Sequence, residues 1–302
     1  MADGKQGRVT KNERREQARE QARVTREKQK KKEKRNRLFL QGGVAVVLLG
    51  IATAVTLLIV QAVQPPGPGP ANMASYGLVV GQDLQVENTV ALQPDDKAIT
   101  PEPDRTTGPV DVVVYTDYIC PYCGQFDQAN ATLLENMAGS GEITLELRPL
   151  AVLDAQSMGS RYSTRAANAF ACVADLQPEA GLDFHTRLLS EGVQPAEGTR
   201  GLTDDELLEQ MSESGVNVDQ EMRSCVTNRQ FSSFISRVSE SALSGPLPNT
   251  ELEKVTGTPT VLVNGEQYRG APGDGAAFQN FLLSFMAETP ADQGTNNQGT
   301  NE

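Results

Sequence analysis

Residues 112–126 read "VVVYTDYICPYCGQF", an apolar, β-branched run that delivers two cysteines, Cys120 and Cys123, two residues apart. The run "DVVVYTDY" (111–118) is apolar on both faces, as a strand in the middle of a sheet is. After it, Phe126, Ala129, Leu133, Leu134 and Met137 recur at helical spacing until "GSG" (139–141) stops the pattern. The cysteines therefore fall where strand gives way to helix. Unpaired backbone N–H groups and the positive end of the helix dipole favour a thiolate at Cys120, and Pro121 suits the first helical turn. Cys123 follows one turn later on the same face, near enough to close a short ring with Cys120.

Three uses fit such a pair. In redox exchange, Cys120 is the exposed attacking sulfur and Cys123 the resolving one. A zinc site needs four ligands, usually from a second paired set. The other cysteines, Cys172 and Cys225, are far apart, and His185 is the only histidine, so no metal is expected. A structural clip across so short a loop adds little stability, because the entropic gain grows with loop length.

The surroundings carry the pair into an α/β pattern. "ITLELRPL" (143–150) is a second strand, followed by about a hundred residues of mainly helical signals. "SRYSTRAANAFACVADL" (160–176) is Ala-rich; "TDDELLEQM" (203–211) has Thr203 and Glu206 in capping-box positions, and "NVDQEM" (217–222) repeats the device with Asn217 and Gln220. "PTVLVNGEQYRG" (259–270) is a strand pair turned at Asn264–Gly265, and "GAAFQNFLLSFMAE" (275–288) closes as a helix. The whole is a central sheet flanked by helices, with a helical insertion over about residues 155–250. His185, in "GLDFHTRLL", reads as a packed histidine rather than a functional one.

Charge divides the chain. Residues 1–37 hold 15 Lys/Arg against 6 Asp/Glu, and the remainder holds 12 against 33. An acidic body excludes nucleic acid as a partner, since phosphate contacts need Lys and Arg. No charged residue lies between Arg37 and Asp83, and Gly42 to Val60 is a mainly apolar run of 19 residues. At a helical rise of about 1.5 Å per residue, that run spans roughly the core of a bilayer. Residues 38–63 are expected to form one transmembrane helix that stays uncleaved. Residues 1–37 then form a basic cytoplasmic arm, and the body lies outside the cytoplasm. Residues 64–75, "QPPGPGPANMAS", read as a Pro/Gly linker; "YGLVV" (76–80) and "NTVAL" (88–92) as short strands; residues 289–302 as a disordered tail. The folded domain is expected over 76–288.

"YTDYICPYC" and, about 135 residues further on, "TGTPTVLVNG" together resemble the DsbA-like branch of the thioredoxin superfamily, the extracytoplasmic thiol:disulfide oxidoreductases. The resemblance covers about Val110 to Glu288. It implies a thioredoxin-like fold with a cis-proline at Pro259 beside the active pair, and a client peptide contacted by Thr258, Pro259 and Tyr122. It also implies reduced exported proteins as clients, a membrane partner that reoxidises the pair, and no cofactor. Two positions depart from the family pattern. Tyr122 stands where many members have His, which leaves oxidase, isomerase and reductase all open. Val114 stands where thioredoxin has a buried carboxylate; Asp117 could relay a proton to Cys123 instead, or serve as a turn or cap residue. With Cys120 and Cys123 accounted for, Cys172 and Cys225 are left to form a structural disulfide in an oxidising compartment. A non-catalytic client-binding chaperone is the alternative of another class. A copper-handling role is disfavoured by one His and seven unclustered Met.

Overall fold

The computed structural model describes residues 16, 19–20, 22–32 and 67–287. The chain divides into two units, residues 1–65 and 66–302. In the first, residues 22–32 are helical and exposed. The expected transmembrane helix (38–63) and tail (289–302) lie outside the described residues. Among the described residues, no helix is long and apolar enough to cross a membrane.

The second unit is built on a five-stranded sheet in the order β1-β3-β2-β4-β5. Its strands are β1 (Leu78–Val80), β2 (Val110–Thr116), β3 (Ile143–Pro149), β4 (Thr260–Val263) and β5 (Glu266–Gln267). β2 and β3 run parallel, with Val112 opposite Leu145 and Val114 opposite Leu147. A parallel pair cannot be joined by a tight turn, so α1 (Pro121–Ser140) makes the crossover between them. β4 returns antiparallel to β2, and β5 pairs with β4 through Asn264 and Gly265. Both turn residues have positive φ (47° and 84°), the backbone that a two-residue hairpin loop needs.

Strand alternation sorts the sheet into two unlike faces. Val114, Thr116, Leu145 and Leu147 share a cavity lining with Phe126 and Leu134 of α1 and Leu182 of α3 (Gly181–Leu189). Tyr115 and Arg148, one residue out of phase, meet Val238 and Ala242 of α6 (Ser232–Ser244) on the other side. There Arg148 donates to both carboxylate oxygens of Glu146 (2.7 and 2.9 Å) and to the Tyr115 hydroxyl (2.8 Å). Ser75 Oγ donates to Glu146 at 2.6 Å. A buried ion pair inside a strand is tolerable only when its lone pairs and protons are satisfied in this way.

The insertion between β3 and β4 is helical, as α2 (Tyr162–Leu176), α3, α4 (Asp204–Glu213), α5 (Gln220–Thr227) and α6; α7 (Gly275–Ala287) closes the described chain. The Thr203–Glu206 capping box opens α4. Three readings need correction. The cap of α5 is Asp219, whose side chain accepts from the Met222 N–H, rather than Asn217. "NTVAL" forms no strand. The linker reading of 64–75 fails from Gly69 onward. Gly69 N–H donates to Leu92 O (2.7 Å), Ala71 N–H to Asp175 (2.7 Å), and Met73 is fully buried. Pro and Gly suppress periodicity, so a packed irregular segment and a free one look alike in sequence.

Cys172 on α2 and Cys225 on α5 are joined in a disulfide across 53 residues. By loop-closure entropy, such a bond contributes at most about 4 kcal/mol.

Candidate active site

Cys120 is the N-cap of α1 and Pro121 its first residue. The turn before it is closed by Cys120 N–H donating to Asp117 O (3.0 Å). Cys123 and Gly124 N–H then donate back to Cys120 O (3.0 and 3.3 Å). Tyr115 pairs with Thr260 across β2 and β4, so the chain just before Thr260 runs past the end of β2 toward Cys120. That places Thr258 and Pro259, joined by a cis peptide bond, beside the pair. The Cys120 thiol donates to Thr258 O at 3.2 Å. Both cysteines are free thiols.

The two sulfurs are unlike. A hydrogen bond from the Cys123 thiol is the main influence bringing the Cys120 pKa down to about 6. Burial opposes it; the Thr258 side chain and the Cys123 and Tyr122 backbone N–H groups assist. Cys123 moves the other way. Burial, then the neighbouring Cys120, push its thiol well above the ordinary value. One sulfur is thus a thiolate at neutral pH and the other a thiol. The expected exposure of Cys120 is not found: the residue is 3% exposed. Pro121 and Tyr122 are the exposed members of the motif, Tyr122 at 57%.

The thiolate contribution to the reduced form is complete above about pH 9, the ordinary thiol value, and disappears as pH falls through about 6. Thiolate absorbance of the reduced protein should therefore rise with a midpoint of about 6, and that step should vanish in Cys120→Ser. A midpoint near the ordinary thiol value of about 9 would contradict this electrostatic picture.

Asp117 braces the site. Its carboxylate accepts from Ile119 N–H (3.1 Å), Val152 N–H (2.9 Å), Leu153 N–H (3.0 Å) and Ser163 Oγ (2.7 Å). It meets Cys123 through its backbone N–H, 3.5 Å from Sγ. The turn-and-cap reading of this residue fits; four donors occupy the oxygens that a proton relay would use.

Sequence reasoning missed Gln194, in the irregular stretch after α3. Its amide N–H donates to Cys120 O (2.8 Å) and Tyr118 O (3.4 Å), tying the insertion to the active-site turn. A Cβ on Gly124 would lie 2.0 Å from the Gln194 Oε1, so glycine after the second cysteine leaves room for this clamp. Loop glutamines carry no periodicity, and only the partner position identifies this one.

The arrangement is a reactive thiolate with a bonding partner one turn away. Residues 105–282 match the family model described as thioredoxin. The chain belongs to the thioredoxin family. This oxidoreductase is of the DsbA type. It is similar to the reduced disulfide oxidoreductase DsbG of Mycobacterium tuberculosis (26% identity, TM-score 0.51, covering 71% of this chain and 89% of that one). It is also similar to reduced DsbA of the same organism (27%, TM-score 0.51, 71% and 94%). A stretch of 93 residues is 30% identical to the serine/threonine-protein kinase PknE of M. tuberculosis; it spans 30% of this chain and 16% of the kinase's length.

Proposed function

We propose that this oxidoreductase introduces disulfides into reduced exported proteins, acting outside the cytoplasm from an anchor formed by residues 38–63. The observation that carries the reading is the inequality of the two sulfurs. A thiolate held at about 6 stabilises the reduced pair, which makes the disulfide the stronger oxidant. The value lies between those of thioredoxin, about 7, and DsbA, about 3.5. The Cys172–Cys225 disulfide in the same domain supports an oxidising compartment.

In the reaction, a client thiolate attacks Cys120 Sγ, the Cys120–Cys123 bond breaks, and Cys123 departs with the electron pair. A second client thiolate attacks the client sulfur of the mixed disulfide and expels Cys120 as a thiolate. The client is oxidised by two electrons and the enzyme pair reduced. A membrane partner carrying a disulfide or quinone restores it. Thr258, Pro259 and the exposed Tyr122 are the proposed client contacts, and the basic arm holds the cytoplasmic side.

The test is the reduction potential of the pair against a glutathione buffer. The expected value lies between about −120 and −200 mV, the oxidising part of the family range. A value near −270 mV would assign the protein to reduction instead.

A further inference from the structure

Strand alternation turns Val114 and Thr116, at the end of β2, toward α1, where they line a cavity of about 10 Å³ with Cys123, Phe126 and Pro259. Thr116 is 1% exposed, and its Oγ1 has no oxygen or nitrogen partner. A buried hydroxyl left so costs free energy that an apolar side chain of the same shape would not. What this oxygen faces is the Cys123 sulfur, and its pull there favours the thiolate. The same sulfur accepts from the Asp117 backbone N–H at 3.5 Å. In the reduced protein the Cys123 S–H is directed at Cys120, which leaves the lone pairs of the sulfur for these two donors. The other titratable side chains at the cavity, Asp127 and His185, face each other instead, with Oδ1 3.5 Å from Nε2.

A disulfide sulfur accepts hydrogen bonds weakly and a thiolate strongly, so donors aimed at Cys123 tighten only as charge develops on it. We propose that Thr116 is a catalytic residue of this reaction, its hydroxyl acting with the Asp117 N–H as a two-donor cradle for negative charge on the Cys123 sulfur. The inference rests on the dithiol reading above and deepens it. On opening, the client thiolate bonds to Cys120 Sγ and the Cys120–Cys123 bond breaks. Its electron pair goes to Cys123, where the Thr116 O–H and the Asp117 N–H meet it. Thr116 keeps its proton throughout, and Cys123 is protonated from water afterwards. On closing, the same donors share the charge as Cys123 attacks the mixed disulfide on Cys120 and expels the client sulfur as a thiolate. A hydroxyl suits this place better than a cation would. A lysine there would hold Cys123 as a standing thiolate and remove the S–H that stabilises Cys120.

The experiment treats the reduced protein with an aromatic disulfide, dithiobis-nitrobenzoate. A first nitrobenzoate thiolate leaves as Cys120 is captured. A second leaves, at a rate independent of reagent concentration, when Cys123 resolves the adduct. In Thr116→Val the first release should match the parent, because Thr116 faces only the second sulfur. The second release should slow about tenfold near neutral pH. That is less than the loss of an oxyanion-hole donor, about 10²–10³, because the Asp117 N–H remains and sulfur is the weaker acceptor. Thr116→Ser keeps the hydroxyl and should stay within twofold of the parent. A second release in Thr116→Val within twofold of the parent would overturn the proposal and leave the dithiol reading intact. So would a Thr116→Ser as slow as Thr116→Val, since shape and not the hydroxyl would then matter. A parent that releases only one nitrobenzoate thiolate would remove the dithiol reading, and this proposal with it. Should Thr116→Val not fold, Thr116→Ser against Thr116→Ala isolates the same hydroxyl: second releases about tenfold apart support the cradle, and rates within twofold overturn it.

Discussion

Replacing Cys120 with alanine is expected to reduce disulfide formation in a reduced client to the uncatalysed background. The Cys120 thiolate carries the covalent link, and Cys123, buried and with its thiol pushed well above the ordinary value, does not take its place. The companion variant should behave differently. Cys123→Ala keeps Cys120 but has lost the group that resolves the adduct; given a client that carries a disulfide, the Cys120 thiolate attacks it and expels the other client sulfur as a thiolate, so Cys120–client mixed disulfides should accumulate and run as larger species on non-reducing gels. Removing Cys123 also removes the hydrogen bond that chiefly stabilises the Cys120 thiolate, so the Cys120 titration midpoint should move up from about 6. The pair of variants separates catalysis from client holding. If both still suppress client aggregation and the parent shows no exchange, the protein is a chaperone and the proposed reaction falls.

Arg148→Met is expected to cost about 3–5 kcal/mol of folding stability, because it strands the Glu146 carboxylate inside the sheet. Side-chain exposures of 5% and 8% for Arg148 and Glu146 leave water almost no access to either charge. Ser75 Oγ would be the remaining hydrogen bond to Glu146, and Tyr115 would lose its donor. Against a typical total of about 5–15 kcal/mol, that loss is a large fraction. The double variant Arg148→Met/Glu146→Leu removes the stranded charge and should recover most of the loss. Urea midpoints read both. A single variant within about 0.5 kcal/mol of the parent would mean that the pair is solvated after all.

How far each feature was legible depended on the length scale of its cause. The strand ending in Cys120, the helix from Pro121 and the Asn264–Gly265 turn are set by neighbours within a few residues: β-branching, capping and positive φ. They could be read directly, and with them the order of elements and the unequal sulfurs. The Thr203–Glu206 cap is local in the same sense. Asn217 failed because Asp219, two residues on, offered the same chemistry, and only the backbone chose between them.

The rest required the chain to fold back on itself. Asp127 and His185 are 58 positions apart in "GQFDQAN" and "GLDFHTRLL", and neither stretch hints at the other. The packing of α3 on α1 brings them together and buries both. Gln194 reaches the active-site turn, and Met73 enters the core, by the same means. What the amino-acid order determined alone was the reactive pair and the elements that carry it, since those follow from bonds and clashes between near neighbours. Which distant side chains surround that pair, and whether a polar group there meets water or protein, was decided by tertiary packing, because desolvation is a property of the assembled interior and of no short segment.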